Sequence, residues 1–199
     1  MTTGDTKVLL NARVISNPKV LLRYGMEAIY EVEVSFKRLS NKEDKFLLNY
    51  QSSLGVELKP DMFIDIEGEL RSSSIQLETG KRFTKVFIFG KNISVLECEP
   101  EKYVNKVIIS NAELIRTPKL RKSYTDNSTD IADIKLRVLR RENKESILSC
   151  SCWNNNARLV TTKHQGDRIS IEGMLQSYKL SNGSFRAEVA VYSISDTEV

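Results

Sequence analysis

At 199 residues the chain is long for one small β domain and long enough for two cores, and its 40% hydrophobic and 28% charged content excludes a disordered polymer. No apolar run approaches about 18 residues, and Met1–Asp5 has no basic-then-apolar leader pattern, so the expectation is a cytoplasmic protein without a membrane partner. Net charge is only +4, but residues 1–100 hold 14 Lys/Arg against 14 Asp/Glu while residues 101–199 hold 16 against 12; a polyanion would favour the second half.

The pattern along the chain is that of β structure. Strands are expected at Lys7–Ile15 and at Tyr30–Lys37, where Val32, Val34 and Phe36 alternate with Glu31, Glu33 and Ser35. Asp44–Gln51 follows, then an irregular stretch at Ser52–Pro60, then strands at Met62–Arg71 and Thr84–Gly90. The run Val86-Phe87-Ile88-Phe89 suggests a strand covered on both faces, as at a domain or subunit contact. A boundary falls near Glu97–Lys102, where Pro100 interrupts any ladder, and so short a linker predicts that the two halves touch.

Strands resume at Val107–Ile115 and at Ile134–Leu139, where Ile134, Leu136 and Val138 alternate with Lys135, Arg137 and Leu139. Ser146–Trp153 is next, followed by Asn154–Gly166, in which Asn154-Asn155-Asn156 could cap a short helix. Asp167–Ser177 and Phe185–Ile194 complete the set, and Thr79-Gly80 and Asn182-Gly183 mark turns between the last two strands of each half.

The second half repeats the first. Asn11-Ala12-Arg13-Val14-Ile15-Ser16-Asn17-Pro18-Lys19-Val20 returns as Asn111-Ala112-Glu113-Leu114-Ile115-Arg116-Thr117-Pro118-Lys119-Leu120, and Asn41-Lys42-Glu43 as Asn143-Lys144-Glu145. Ile64-Asp65-Ile66-Glu67-Gly68-Glu69-Leu70-Arg71-Ser72 returns as Ile169-Ser170-Ile171-Glu172-Gly173-Met174-Leu175-Gln176-Ser177, and the offset drifts only from 100 to 105. Five strands per copy, with a helix or turn after the third, predict an all-β protein of two tandem five-stranded oligonucleotide-binding (OB) barrels, residues 1–100 and 101–199.

Metal, cofactor and catalytic chemistry find little support. Cys98, Cys150 and Cys152 are too few for a disulfide framework, and with the lone His164 they do not supply a zinc set, so buried or half-buried free thiols are expected. There is no phosphate-cradling Gly-x-x-x-x-Gly-Lys-Ser/Thr loop and no nucleophile with a plausible histidine. No cofactor, no metal and no enzyme activity are expected.

Four segments of the second copy carry a resemblance: Asn105-Lys106-Val107-Ile108-Ile109, Arg116-Thr117-Pro118-Lys119-Leu120-Arg121, Trp153-Asn154-Asn155-Asn156-Ala157-Arg158, and Gly166-Asp167-Arg168-Ile169-Ser170-Ile171-Glu172-Gly173-Met174-Leu175-Gln176-Ser177. Together they resemble the bacterial single-stranded DNA-binding protein family, including its primosomal replication protein N branch. The similarity covers about Asn105 to Ser195, and the first copy shares only Asn17-Pro18 and Ile64–Ser72. The resemblance implies an OB fold, sequence-tolerant binding of single-stranded DNA in replication, recombination or repair, and a homodimer bringing four OB domains together. The ending Asp196-Thr197-Glu198-Val199 departs from the acidic, Phe-terminated tail of housekeeping members, which suggests a specialised, mobile-element or primosome-associated protein with replication or primosome partners.

Candidate binding residues follow from side-chain parity. Leu148, Cys150 and Cys152 make one apolar series in Ser146–Trp153, which leaves Ser149, Ser151 and Trp153 facing outward. Trp153 also matches an aromatic base-stacking position of the family. Lys135 and Arg137 project from the outer face of the neighbouring strand, beside Trp153 if the two strands pair. Around them the expectation places Arg121, Lys122 and Tyr124 in the first hairpin loop, Arg140 and Arg141 in the next, and Tyr178 and Lys179 at the start of the last.

In the first copy Glu33 stands for Lys135, Ser35 for Arg137 and Gln51 for Trp153, so that face should be a poor platform for phosphates. The first domain is then expected to serve structure or dimerisation, with Lys81, Arg82 and Lys85 leaving room for a secondary DNA contact. Two alternatives stay open: a protein–protein adaptor of a replication or primosome complex, and a single-stranded RNA-binding protein.

Overall fold

The computed structural model describes residues 3–38, 40–76, 80, 82–123, 128–141, 144–179 and 185–196. The first copy contains β1 (Asp5–Val14), β2 (Lys19–Tyr24), β3 (Glu27–Lys37), β4 (Glu43–Gln51), a 3-10 turn at Ser52–Leu54, β5 (Phe63–Gln76) and β6 (Arg82–Leu96). The second contains β7 (Asn105–Leu114), β8 (Leu120–Lys122), β9 (Asp130–Leu139), β10 (Glu145–Trp153), α1 (Asn155–Val160), β11 (Arg168–Lys179) and β12 (Phe185–Asp196). No helix among the described residues is long and apolar enough to cross a membrane.

Each copy closes on itself. In the first, β1 pairs with β5 and β3, β3 with β4, β4 in parallel with β6, and β6 with β5. In the second, β7, β9, β10, β12 and β11 repeat that circuit, including the parallel β10–β12 pair. This is the OB barrel, five strands with a helical turn after the third. Alternation fills the interiors: Val32, Val34, Phe36, Phe46 and Leu48 in one, Ile134, Leu136, Val138, Leu148 and Cys150 in the other, all buried.

The short strands β2 and β8 were not expected. All six residues of β2 are exposed, so no buried face imposes an alternation on the sequence. Asn154 does precede the helix, but it holds φ 52° and makes no side-chain capping bond, so it acts as a positive-φ corner after β10 rather than as a side-chain cap. Cys150 and Cys152 are buried, and burial pushes the Cys152 thiol up to about 12, whereas Cys98 is exposed, against expectation. Thr79, Lys81 and Asn182-Gly183 lie outside the described residues.

The echoed Ile-x-Ile-Glu-Gly motif has a packing reason. The ladder between β5 and β6 slips at Glu67/Gly68, and that between β11 and β12 at Glu172/Gly173. A Cβ at Gly68 would collide with the Phe89 carbonyl oxygen, and one at Gly173 with that of Ala190. Each glycine admits the close approach that a bulge creates.

The barrels are joined by an antiparallel ladder between β1 and β7, from Asp5 opposite Ser110 to Leu10 opposite Asn105. Lys7 faces Ile108 and Val8 faces Val107, pairs that exchange when the copies are swapped at the offset of 100, so the ladder is a pseudo-two-fold contact. Side chains repeat the relation. Ser177 Oγ accepts the Lys45 N–H at 2.9 Å while its own N–H donates to buried Asp44 at 2.8 Å; Ser72 Oγ accepts the Ile147 N–H at 2.7 Å while its own N–H donates to Ser146 at 3.3 Å. The linker is anchored too, with the Tyr103 ring edge-on to Phe36 at 5.5 Å and its hydroxyl donating to Glu99 at 2.8 Å.

Candidate nucleic-acid interface

Trp153 ends β10 and is 42% exposed, its parity opposite that of buried Leu148, Cys150 and Cys152. The corner at Asn154 follows at once, and buried Ala157 and Val160 tie α1 to the barrel, so the indole stands at a fixed rim. Asp130 holds the same rim: its carboxylate accepts from Lys122 Nζ and Arg158 Nε, each at 2.6 Å. The bond from Lys122, then that from Arg158, keeps the Asp130 carboxyl below the usual carboxylate range.

β9 runs antiparallel to β10 with Ile131 opposite Trp153, Asp133 opposite Ser151, Lys135 opposite Ser149 and Arg137 opposite Ile147. Lys135 therefore shares a face with Trp153 but stands four residues along the ladder, roughly 13 Å away at strand rise. β11 and β12 wall the opposite side. The result is a groove of about 520 Å3 whose lining includes Trp153, Tyr178, Arg116, Arg121, Lys135 and Arg186.

Its polar side chains are mutually braced. Arg186 Nη2 donates to Ser149 Oγ at 3.0 Å, Arg121 Nε donates to Asp133 at 2.8 Å, and Gln176 Nε2 donates to Glu188 at 2.8 Å. Burial raises the Glu188 carboxyl above the usual range, against the pull of Gln176, and burial likewise raises the Tyr178 hydroxyl. Among the described residues no carboxylate pairs with Lys135. A half-buried lysine without a counter-charge, between an exposed indole and a braced arginine, suits a polyanion that carries flat apolar rings.

The other expected residues are dispersed. Arg137 is engaged by Glu113 at 3.2 Å and Glu145 at 3.4 Å. Arg121 and Lys122 belong to β8 rather than to a loop. Arg140 sits at the barrel boundary, where burial and the adjacent Arg71 lower its pKa, and is not among the groove-lining residues. Arg141 is exposed in the loop after β9, and Lys179 is exposed at the end of β11. Tyr124 lies outside the described residues.

Sequence reasoning missed Arg186, Arg116 and Glu188. Parity could have found two of them, since Val189 and Val191 turn inward on β12 and leave Arg186 and Glu188 outward.

No family model matches the chain, and no curated protein matches it. Solved structures do. Wild-type single-stranded DNA binding protein from Thermus aquaticus superposes with a TM-score of 0.78 at 20% identity, covering 100% of this chain and 95% of that one. A deletion mutant of the same protein carrying R190A gives 0.78 and 20%, covering 100% and 97%. The N-terminal domain of PriB from Thermoanaerobacter tencongensis covers 47% of this chain and 98% of its own, at 23% identity and a TM-score of 0.40. The full-length likeness establishes the tandem OB fold at an identity too low to carry function with it.

Proposed function

We propose that the chain binds single-stranded DNA without strong sequence preference, mainly through its second barrel, in replication, recombination or repair. The observation that carries this is exposed Trp153 at the rim of a groove that also presents Tyr178, Arg186 held by Ser149, and Lys135, which no carboxylate pairs among the described residues. Bases would stack on the indole, at about 1–3 kcal/mol each, while the cations follow the phosphates and release their counterions. Binding of this kind is passive and uses no catalytic step. The Thermus aquaticus neighbours are single-stranded DNA-binding proteins by name, and the resemblance in Asn105 to Ser195 points the same way. It also supports assembly of two 22.7 kDa chains, bringing four barrels together, which light scattering reads directly.

Titration with oligo-dT, oligo-rU and duplex DNA at two salt concentrations tests the reading, because the sole tryptophan reports occupancy of the groove. The expected result is salt-sensitive oligo-dT binding that quenches Trp153, with weak duplex binding. Tighter binding of oligo-rU would make the ligand RNA. No binding at low salt would leave the adaptor reading, which has one observation in its favour: Val20, Leu21, Leu22, Tyr24 and Met26 are all exposed on the β2 hairpin.

A further inference from the structure

The carboxylate of Glu188 does not suit a groove that holds phosphates. It lines the groove half-buried, beside Ser151, Tyr178 and Arg186, where a phosphate would be repelled. Asp133, the other acid of the lining, is paired with Arg121 at 2.8 Å, whereas no cation pairs with Glu188 among the described residues. Hydrogen bonds hold Glu188 instead. Gln176 stands directly opposite on β11 and donates Nε2 to Oε1 at 2.8 Å, and Ser151 Oγ lies 3.5 Å from the same oxygen. Gln176 Nε2 also donates to Ser151 Oγ at 3.3 Å, so the three side chains make one polar floor. Oε2, the second carboxylate oxygen, carries no bond among the described residues. Ser151 shares the Trp153 side of β10 and precedes it by two residues, roughly 7 Å at strand rise. The first barrel differs at this place. The offset of 105 that relates Ile64–Ser72 to Ile169–Ser177 puts Arg71 at the position of Gln176, and Phe87 stands opposite Arg71.

We infer that Glu188 is a specificity-determining residue: Oε2 accepts a hydrogen bond from the exocyclic amine of a base held beside Trp153, so the groove favours cytosine over thymine or uracil. The inference rests on the proposed function. A single strand exposes the pairing edges of its bases, and a carboxylate is a hydrogen-bond acceptor that complements the N4 amine of cytosine. Thymine and uracil carry a carbonyl oxygen where cytosine has that amine, and an oxygen facing Oε2 is repelled. Gln176 and Ser151 fix Oε1, which leaves Oε2 to the ligand and sets the direction in which it accepts. The phosphate contacts and the stacking stay indifferent to sequence, so the carboxylate adds a difference between bases at one position and leaves the rest of the strand unread.

The test compares labelled oligo-dC and oligo-dU of about 12 nucleotides, a length one OB fold covers, by fluorescence anisotropy at mildly alkaline pH. The two differ only at the pairing edge and carry the same charge, so the phosphate contribution cancels in the ratio of affinities. The unaltered protein should bind oligo-dC about fivefold more tightly, the size of one hydrogen bond to a charged group after its desolvation. Glu188→Ala should bring the two affinities within about twofold of each other. Glu188→Gln should reverse the preference, because the amide oxygen can still accept from Gln176 while its amine now faces the base and donates to the O4 of uracil. Equal affinity for the two strands in the unaltered protein overturns the inference. A ratio that neither variant changes overturns it too, since a carboxylate that only braces the floor would weaken both strands alike. If the unaltered protein binds neither strand at low salt, the proposed function fails and the base preference with it, a result distinct from equal binding of both.

Discussion

The outward faces of the two barrels are built on equivalent strands and differ in what their charges do. On the first, Glu31 and Lys85 neutralise each other at 2.6 Å, Glu33 is exposed, and Gln51 stands at the rim. On the second, Asp133 is answered by Arg121 from β8, Lys135 remains unpaired among the described residues, and Trp153 stands at the rim. The lesson is that a cation count says little about a polyanion site. What matters is which cations the fold has already spent on its own carboxylates.

The largest effect should come from the rim. Trp153→Ala is expected to weaken oligo-dT binding about tenfold to a hundredfold, measured by fluorescence anisotropy with labelled DNA, since one stacked base is worth about 1–3 kcal/mol. An unchanged affinity would erase the contrast between the barrels. Next, Lys135→Glu should cost about tenfold and lower the salt slope by about one or more, while the mirror change Glu33→Lys should tighten binding a few-fold; equal effects from both would mean that the faces serve alike.

Glu188 sharpens the comparison through pH. Burial raises its carboxyl above the ordinary 4.5, so as pH falls through that raised value the groove loses a negative charge and binding should tighten. The same group favours folding on the acid side and loses that contribution as pH rises, so Glu188→Gln should remove both dependences in titrations run from neutral to mildly acid pH. The smallest effect belongs to Arg137→Ala, expected to change affinity less than about twofold because Glu113 and Glu145 already hold the guanidinium. A tenfold loss there would return Arg137 to the binding surface.

Much of this was legible in the residues. The repeat pointed to two barrels, and the sequence alternation from Leu148 to Trp153 tells which side of β10 carries Trp153, because a buried face fixes strand parity, although Ser151 on that side is itself buried. The run Val86-Phe87-Ile88-Phe89 is covered only in part: Ile88 and Phe89 are buried, with the Arg71 guanidinium of the same barrel 3.7 Å from the Phe89 ring centroid, whereas Val86 and Phe87 are half-buried. What parity could not show was partnership. Arg137 and Lys135 occupy equivalent positions on β9, yet Glu113 reaches only Arg137, through the β7–β9 pairing of residues 24 apart in the chain. Arg140 could not be placed either, because its neighbours Arg71 and Glu69 belong to the other barrel.

The β1–β7 ladder has an evolutionary consequence as well as a mechanical one. Two separate identical chains meeting along such a ladder would have to carry every substitution twice, once on each side of the axis. Joined through the short segment between Leu96 and Asn105, the halves keep the contact at a high effective concentration that dilution cannot reduce, and each can change by itself. Covalent linkage thus frees one half to vary its face while the other retains its own.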